Sequence, residues 1–84
     1  MNLLMTEKVL FTSTVPHDAS VIQPVIEMSL ALHGYEVACK IQATENPLTL
    51  RIELTPEEPM SKLQWDSLLN GLRKQFAGAV IVLE

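Results

Sequence analysis

The sequence predicts a single α+β domain, a four-stranded antiparallel sheet with two helices on one face. Three observations carry that prediction. Segments in the middle of the chain alternate apolar and polar residues with a period of two. Two other segments repeat their apolar residues at helical spacing. Most of the breakers, Pro16, Gly34, Pro47, Pro56, Pro59 and Gly78, fall between the segments.

The first segment, Glu7 to Val15, is rich in β-branched residues and stops at Pro16. Val9, Phe11, Ser13 and Val15 share one face and Leu10, Thr12 and Thr14 the other, which predicts a strand. From Asp18 to His33 the period becomes helical. Val21, Val25, Met28, Leu32, Ile22, Ile26 and Leu30 fill an apolar arc of roughly 200° at about 100° per residue. Asp18 or Ser20 is placed to cap this helix, and Ser20 and Gln23 have capping-box spacing. Pro24 lacks the N–H that such a box would leave to the first helical bonds, so the regular helix is expected to begin nearer Gln23. Gly34 supplies the left-handed position that ends it.

Tyr35, Val37, Cys39, Ile41 and Ala43 alternate with Glu36, Ala38, Lys40 and Gln42. Leu48, Leu50, Ile52 and Leu54 alternate with Thr49, Arg51, Glu53 and Thr55. Each is a strand with one buried and one wet face, and the short loop Thr44 to Pro47 joins them as a hairpin. After the turn from Thr55 to Pro59, Ser61 and Gln64 form a second capping box. Trp65, Leu68, Leu69, Leu72 and Phe76 then make a narrow apolar stripe. Arg73 and Lys74 sit in the last turn, where the helix dipole favours cations, and Gly78 is expected to end the helix. Ala79 to Leu83 is a final apolar strand. The order β-α-β-β-α-β is that of ferredoxin-like domains. Right-handed crossovers place both helices on one face, with the first and third strands in the middle.

A chain of 84 residues supports one domain, residues 1–84, with a flexible N-terminus over 1–6. At 48% hydrophobic and 19% charged it is too apolar for disorder. Ten acidic against six basic residues argue against nucleic acid as a partner. Cys39 is the lone cysteine, which fits a reducing compartment. With neither a signal-peptide pattern nor an apolar run long enough for a bilayer, the expected location is the cytoplasm, without membrane association.

Candidate chemistry is thin. His17, between the first strand and first helix, stands where helix N-termini meet anions, or is a solvated loop histidine beside Asp18. His33 has no ligand-spaced partner, and a histidine at a helix C-terminus explains it. Cys39 points inward as a small hydrophobe, and a pairing with His17 or His33 has no local support. Glu57 and Glu58 lie between prolines in a solvated turn. The outward positions of the central strands hold Thr, Arg and Glu where RNA-binding domains of this topology carry aromatics. No catalytic residue, metal or cofactor is therefore expected, and the chain is not read as an enzyme. The broad arc of the first helix exceeds what one sheet covers. Two readings stand: a second contact, such as a neighbouring subunit, or contact with the other helix plus ordinary exposed apolar surface. The second and fourth strands would also be open edges.

The stretch Ala19-Ser20-Val21-Ile22, then the helix, then His33-Gly34-Tyr35-Glu36-Val37, resembles the start of an ACT domain. Ile52-Glu53-Leu54-Thr55 and the second helix with Leu68, Leu69 and Leu72 look like the small regulatory subunit of acetolactate synthase. The resemblance runs from about Lys8 to Leu83. It implies a regulatory domain in amino-acid metabolism, specifically branched-chain amino acid biosynthesis. It further implies homodimers or higher oligomers with a continuous eight-stranded sheet and a catalytic subunit as partner. An amino-acid ligand would bind near Pro16, His17, Asp18, Ala19, Ser20 and Val21. Ala19-Ser20 stands where the family has Pro-Gly, whose glycine lets the backbone approach the ligand. A member that assembles with an enzyme without sensing an amino acid fits these residues. A stand-alone inhibitor or assembly factor of the same fold is the alternative.

Overall fold

The computed structural model describes residues 6–84. Of the N-terminal segment expected to be flexible, residues 1–5 lie outside the described residues. Six elements follow in the expected order: β1 (Glu7–Thr12), α1 (Ala19–Leu32), β2 (Val37–Ala43), β3 (Thr49–Pro56), α2 (Lys62–Gln75) and β4 (Val80–Leu83). The sheet order is β2-β3-β1-β4 and every pairing is antiparallel, so β1 and β3 are central, as in ferredoxin-like domains. The register sets Val9 opposite Ile52 and Phe11 opposite Leu50, and Cys39 opposite Leu54 and Ile41 opposite Ile52. With the side-chain period of two, these residues share the face under the helices.

Val9, Phe11, Leu50, Ile52, Leu54 and Ile81 from the sheet meet Ile22, Ile26 and Leu30 of α1 and Trp65, Leu68, Leu69 and Leu72 of α2 in one core. The rings of Phe11 and Phe76 meet edge to face at 5.3 Å, a geometry that aromatic quadrupoles favour. On the opposite face Arg51 holds Glu84 through two bonds of 2.9 Å, linking β3 to the residue after β4 across β1. That pair is part-exposed and contributes modestly.

The helix ends show local chemistry at work. Asp18 caps α1, and the N–H groups of Ser20, Val21 and Ile22 all end on it. The helix therefore starts at Ala19, earlier than the Gln23 that Pro24 suggested, and Pro24 lies inside it. The Ser20–Gln23 box, whose spacing Pro24 argued against, does not form, and Gln23 Oε1 accepts from Ile41 N–H on β2 instead. At the other end Tyr35 N–H donates to Leu30 O at 2.9 Å and Gly34 N–H to Ala31 O at 3.0 Å. With Gly34 at φ +80° this is a Schellman motif, in which glycine takes the left-handed position without a Cβ clash. In α2 the box forms as read: Ser61 N–H donates to Gln64 Oε1 at 2.8 Å and Gln64 N–H to Ser61 Oγ at 3.2 Å. α2 stops at Gln75 with Phe76 as its cap, so Gly78 falls in the turn beyond.

β1 is shorter than its sequence pattern. It ends at Thr12, and Val15, placed by alternation on the inward face, is exposed. Ser13 N–H still bonds Leu48 O at 3.0 Å, in register with the β1–β3 ladder, but Leu48 N–H turns to Asn46 Oδ1 at 2.9 Å and the pairing stops there as the chain turns toward α1. Removing the cap of α2 with Ser61→Ala is expected to cost about 1 kcal/mol. In this size class that lowers the thermal midpoint by roughly 4–8 °C, measurable by circular dichroism; an unchanged midpoint would mean that the box contributes nothing.

Candidate functional site

The β1–α1 segment is the first place to look. Pro16, His17, Asp18, Ser20 and Val21 are exposed and Ala19 is partly buried. The Asp18 carboxylate accepts from Ser20 N at 2.9 Å and Ser20 Oγ at 2.8 Å, and these bonds hold its pKa below the usual range. A carboxylate of the chain itself thus occupies the helix N-terminus where an anionic ligand would sit. His17 lies edge-on to Phe11, ring centroids 6.0 Å apart.

The other candidates are dispersed. His33 follows the last turn of α1, with Nδ1 2.8 Å from Ser29 O. His17 and His33 flank opposite ends of a 14-residue helix, about 21 Å long at 1.5 Å per residue. Cys39 is buried in the core, and its thiol is pushed up to about 12 by burial and, secondarily, by Glu27. Glu57 and Glu58 are exposed in the turn after β3, as read. The structure adds Glu36 to them: Glu57 N–H donates to Glu36 O at 2.9 Å, and the Glu57 carboxylate, as acceptor of a hydrogen bond from the protonated Glu36 carboxyl and as a like charge, raises the Glu36 pKa. No group of three metal-ligating side chains occurs among the described residues.

The helical face is where the structure departs from simple burial. Val21, Val25, Met28 and Leu32 are 61%, 42%, 65% and 78% exposed, and they follow one another at i, i+4, i+7 and i+11 along one stripe of α1. The other half of the apolar arc, Ile22, Ile26 and Leu30, is buried on the sheet. α1 leans on β2 and α2 on β4. Between the helices, bridged by a hydrogen bond from Ser29 Oγ to Gln75 Oε1, lies a groove of about 610 Å³. Its walls are Pro24, Val25, Met28 and Leu32 on one side and Gly71, Lys74 and Gln75 on the other, with His33 at one end.

Gly71 is notable there. A Cβ added to it would meet nothing within 4 Å, so no packing inside the chain calls for glycine in mid-helix, where it is less favourable than alanine. The composition of the helix shows the glycine, but only the tertiary arrangement shows that it opens onto the groove.

Both sheet edges are guarded. The Glu57–Glu36 bond sets the alternation of the β2–β3 ladder so that Ile41 N–H points to the open edge, where Gln23 Oε1 accepts it at 3.1 Å. Glu84 N–H bonds Lys8 O at 2.8 Å, which turns Ile81 O outward, and Arg73 Nε donates to it at 3.0 Å. Each helix thus sends one side chain to the edge strand beside it, a device that discourages strand addition. No family model, curated protein or solved structure matches the chain, and the site is read from its geometry.

Two outcomes are expected. Gly71→Ala should stabilise the fold by up to about 1 kcal/mol, seen as a raised urea midpoint; a loss of stability would show that the groove floor is packed after all. Cys39 should resist thiol reagents at pH 8 until denaturant is added. Because its folded pKa of about 12 lies above the ordinary 9.0, its contribution to stability is complete below pH 9 and is lost as pH rises from 9 through 12. Rapid labelling of the native chain at pH 8 would contradict this.

Proposed function

We propose that the chain is a non-catalytic protein-binding module, a regulatory domain or subunit that engages a partner enzyme through its helical face. The observation that carries the reading is the stripe of Val21, Val25, Met28 and Leu32, half of a helix's apolar arc left without cover beside an open groove. Burying an apolar side chain of this size contributes about 1.5–3 kcal/mol relative to leaving it in water, so a partner surface that covers the stripe gains affinity from it. The ferredoxin-like fold is compatible with the ACT-like resemblance, which nominates the catalytic subunit of acetolactate synthase as partner.

Amino-acid sensing has less support. The segment from Pro16 to Val21 lacks the family's glycine, and Asp18 already accepts the amide that an effector carboxylate would use. That same observation favours, as a second reading, a stand-alone assembly or inhibitor protein that binds its target without an effector.

Affinity capture with the tagged wild-type chain and a Val25→Glu/Met28→Glu variant, run side by side, tests the proposal. The wild type is expected to retain a thiamine-diphosphate enzyme and the variant to lose it, with both equally folded by circular dichroism. Equal recovery by the two proteins would remove the helical face from consideration. Recovery of a partner of another kind, lost in the variant, would favour the stand-alone reading.

A further inference from the structure

We infer that β4 is a latent self-pairing edge held shut by Arg73, and that its occupant, once that side chain is withdrawn, is β4 of a second copy of this chain. The edge shares no residue with the helical stripe on which the proposed function rests. By position alone Arg73 is a last-turn cation that suits the helix dipole. Its guanidinium is used otherwise. Nε donates to Ile81 O at 3.0 Å and Nη1 to Asn70 Oδ1 at 3.1 Å, so Asn70 fixes the group where it meets the strand.

What Arg73 covers follows from the ladder. Glu84 N–H bonds Lys8 O at 2.8 Å, so Val80 and Val82 turn their backbone groups to β1, and Ile81 and Leu83 turn theirs outward. The outward groups are self-complementary. A second β4, antiparallel about a two-fold axis through Val82, sets Ile81 of each copy opposite Leu83 of the other. Each such pair exchanges both of its N–H···O=C bonds, and the axis makes the two pairs identical. Ile81 O is an acceptor in both pairs, and it is the atom that Arg73 occupies.

The side chains suit the same pairing. Ala79-Val80-Ile81-Val82-Leu83 holds no charge and no proline and is rich in β-branched residues, the composition of a self-pairing strand. Val80, Val82 and Leu83 are exposed. Glu84 is the first charge after the strand, and Arg51 holds it through two bonds of 2.9 Å, away from any guarding role. β2 differs. Besides Gln23 on Ile41 N–H it has Lys40 within it and Glu36 just before it, charges of the kind that protect an edge. β4 relies on Arg73.

Sedimentation velocity of the full chain up to about 300 µM, a range that reaches weak micromolar dimers, tests the inference. Arg73→Met and Arg73→Ala, good helix formers without the donors, should each dimerise at least tenfold more tightly than the wild type. Adding Val82→Lys sets two like charges opposite each other at the axis and should disperse those dimers. Arg73 and Val82 are exposed, so the wild-type circular dichroism should be kept throughout. Val82→Cys gives a second readout, because facing residues of a non-hydrogen-bonded pair lie about 4.5 Å apart at Cα, within disulfide reach. Oxidation should link two copies faster when Arg73→Met is also present, and the buried Cys39 does not compete. Arg73 variants that sediment as the wild type does overturn the inference, as does a dimer that Val82→Lys leaves intact. A wild type that dimerises as tightly through β4, or cross-linking at equal rates with and without Arg73, overturns it as well.

Discussion

Everything in this fold depends on covering one face of a four-stranded sheet with two short helices. Val9, Ile52 and Leu54 are fully shielded and Phe11 and Ile81 nearly so, and each helix is 14 residues long. In a chain this small the hydrophobic core is single, and its burial must offset the entropy of ordering the whole domain. α2 meets the demand with a narrow stripe, Trp65, Leu68, Leu69 and Leu72, all buried. α1 uses Ile22, Ile26 and Leu30 for the sheet and has a second apolar row left over. The arc is wider than one sheet can cover, and the excess cannot turn inward because the sheet already fills that side.

The polar side chains divide the remaining surface. Gln23 and Arg73 attend to the two edge strands, Asp18 to the start of α1, and Ser61 and Gln64 to the start of α2. Arg51 and Glu84 span the sheet's outer face. Each of these contacts satisfies a backbone or charged group where water would otherwise do so, although the outer face also carries exposed Val80 and Val82 on β4. The helical layer is different: its apolar row and the groove beside it have no internal partner. A continuous sheet across two copies would have to displace Gln23 or Arg73.

The candidate site was legible in part. The width of the α1 arc was visible as residue types at helical spacing, and so was the question it raised of a second contact. What spacing could not show was which row would face the sheet, since Ile22 and Val21, or Leu30 and Leu32, are equally apolar. Gln23 read as a capping residue from its distance to Ser20, yet it bonds a strand far along the chain. Asp18 won the cap because its carboxylate reaches Ser20 N–H directly, and Pro24 was tolerated within the helix once Asp18 held the first turn. Glu36 joined Glu57 only because the antiparallel hairpin brings the start of β2 beside the end of β3.

By itself, the sequence determined the order of elements, the inward rows of the strands, the Gly34 stop and the capping box of α2. These follow from local chemistry: periodicity, the φ freedom of glycine and hydrogen bonds within a few residues. The tertiary structure alone decided which half of the α1 arc remains uncovered, that Gly71 opens onto a groove, and that both edges are capped from the helices. Those outcomes depend on how far apart the two helices settle on a twisted sheet, a distance set by the summed packing of the core and not by any segment of the chain alone.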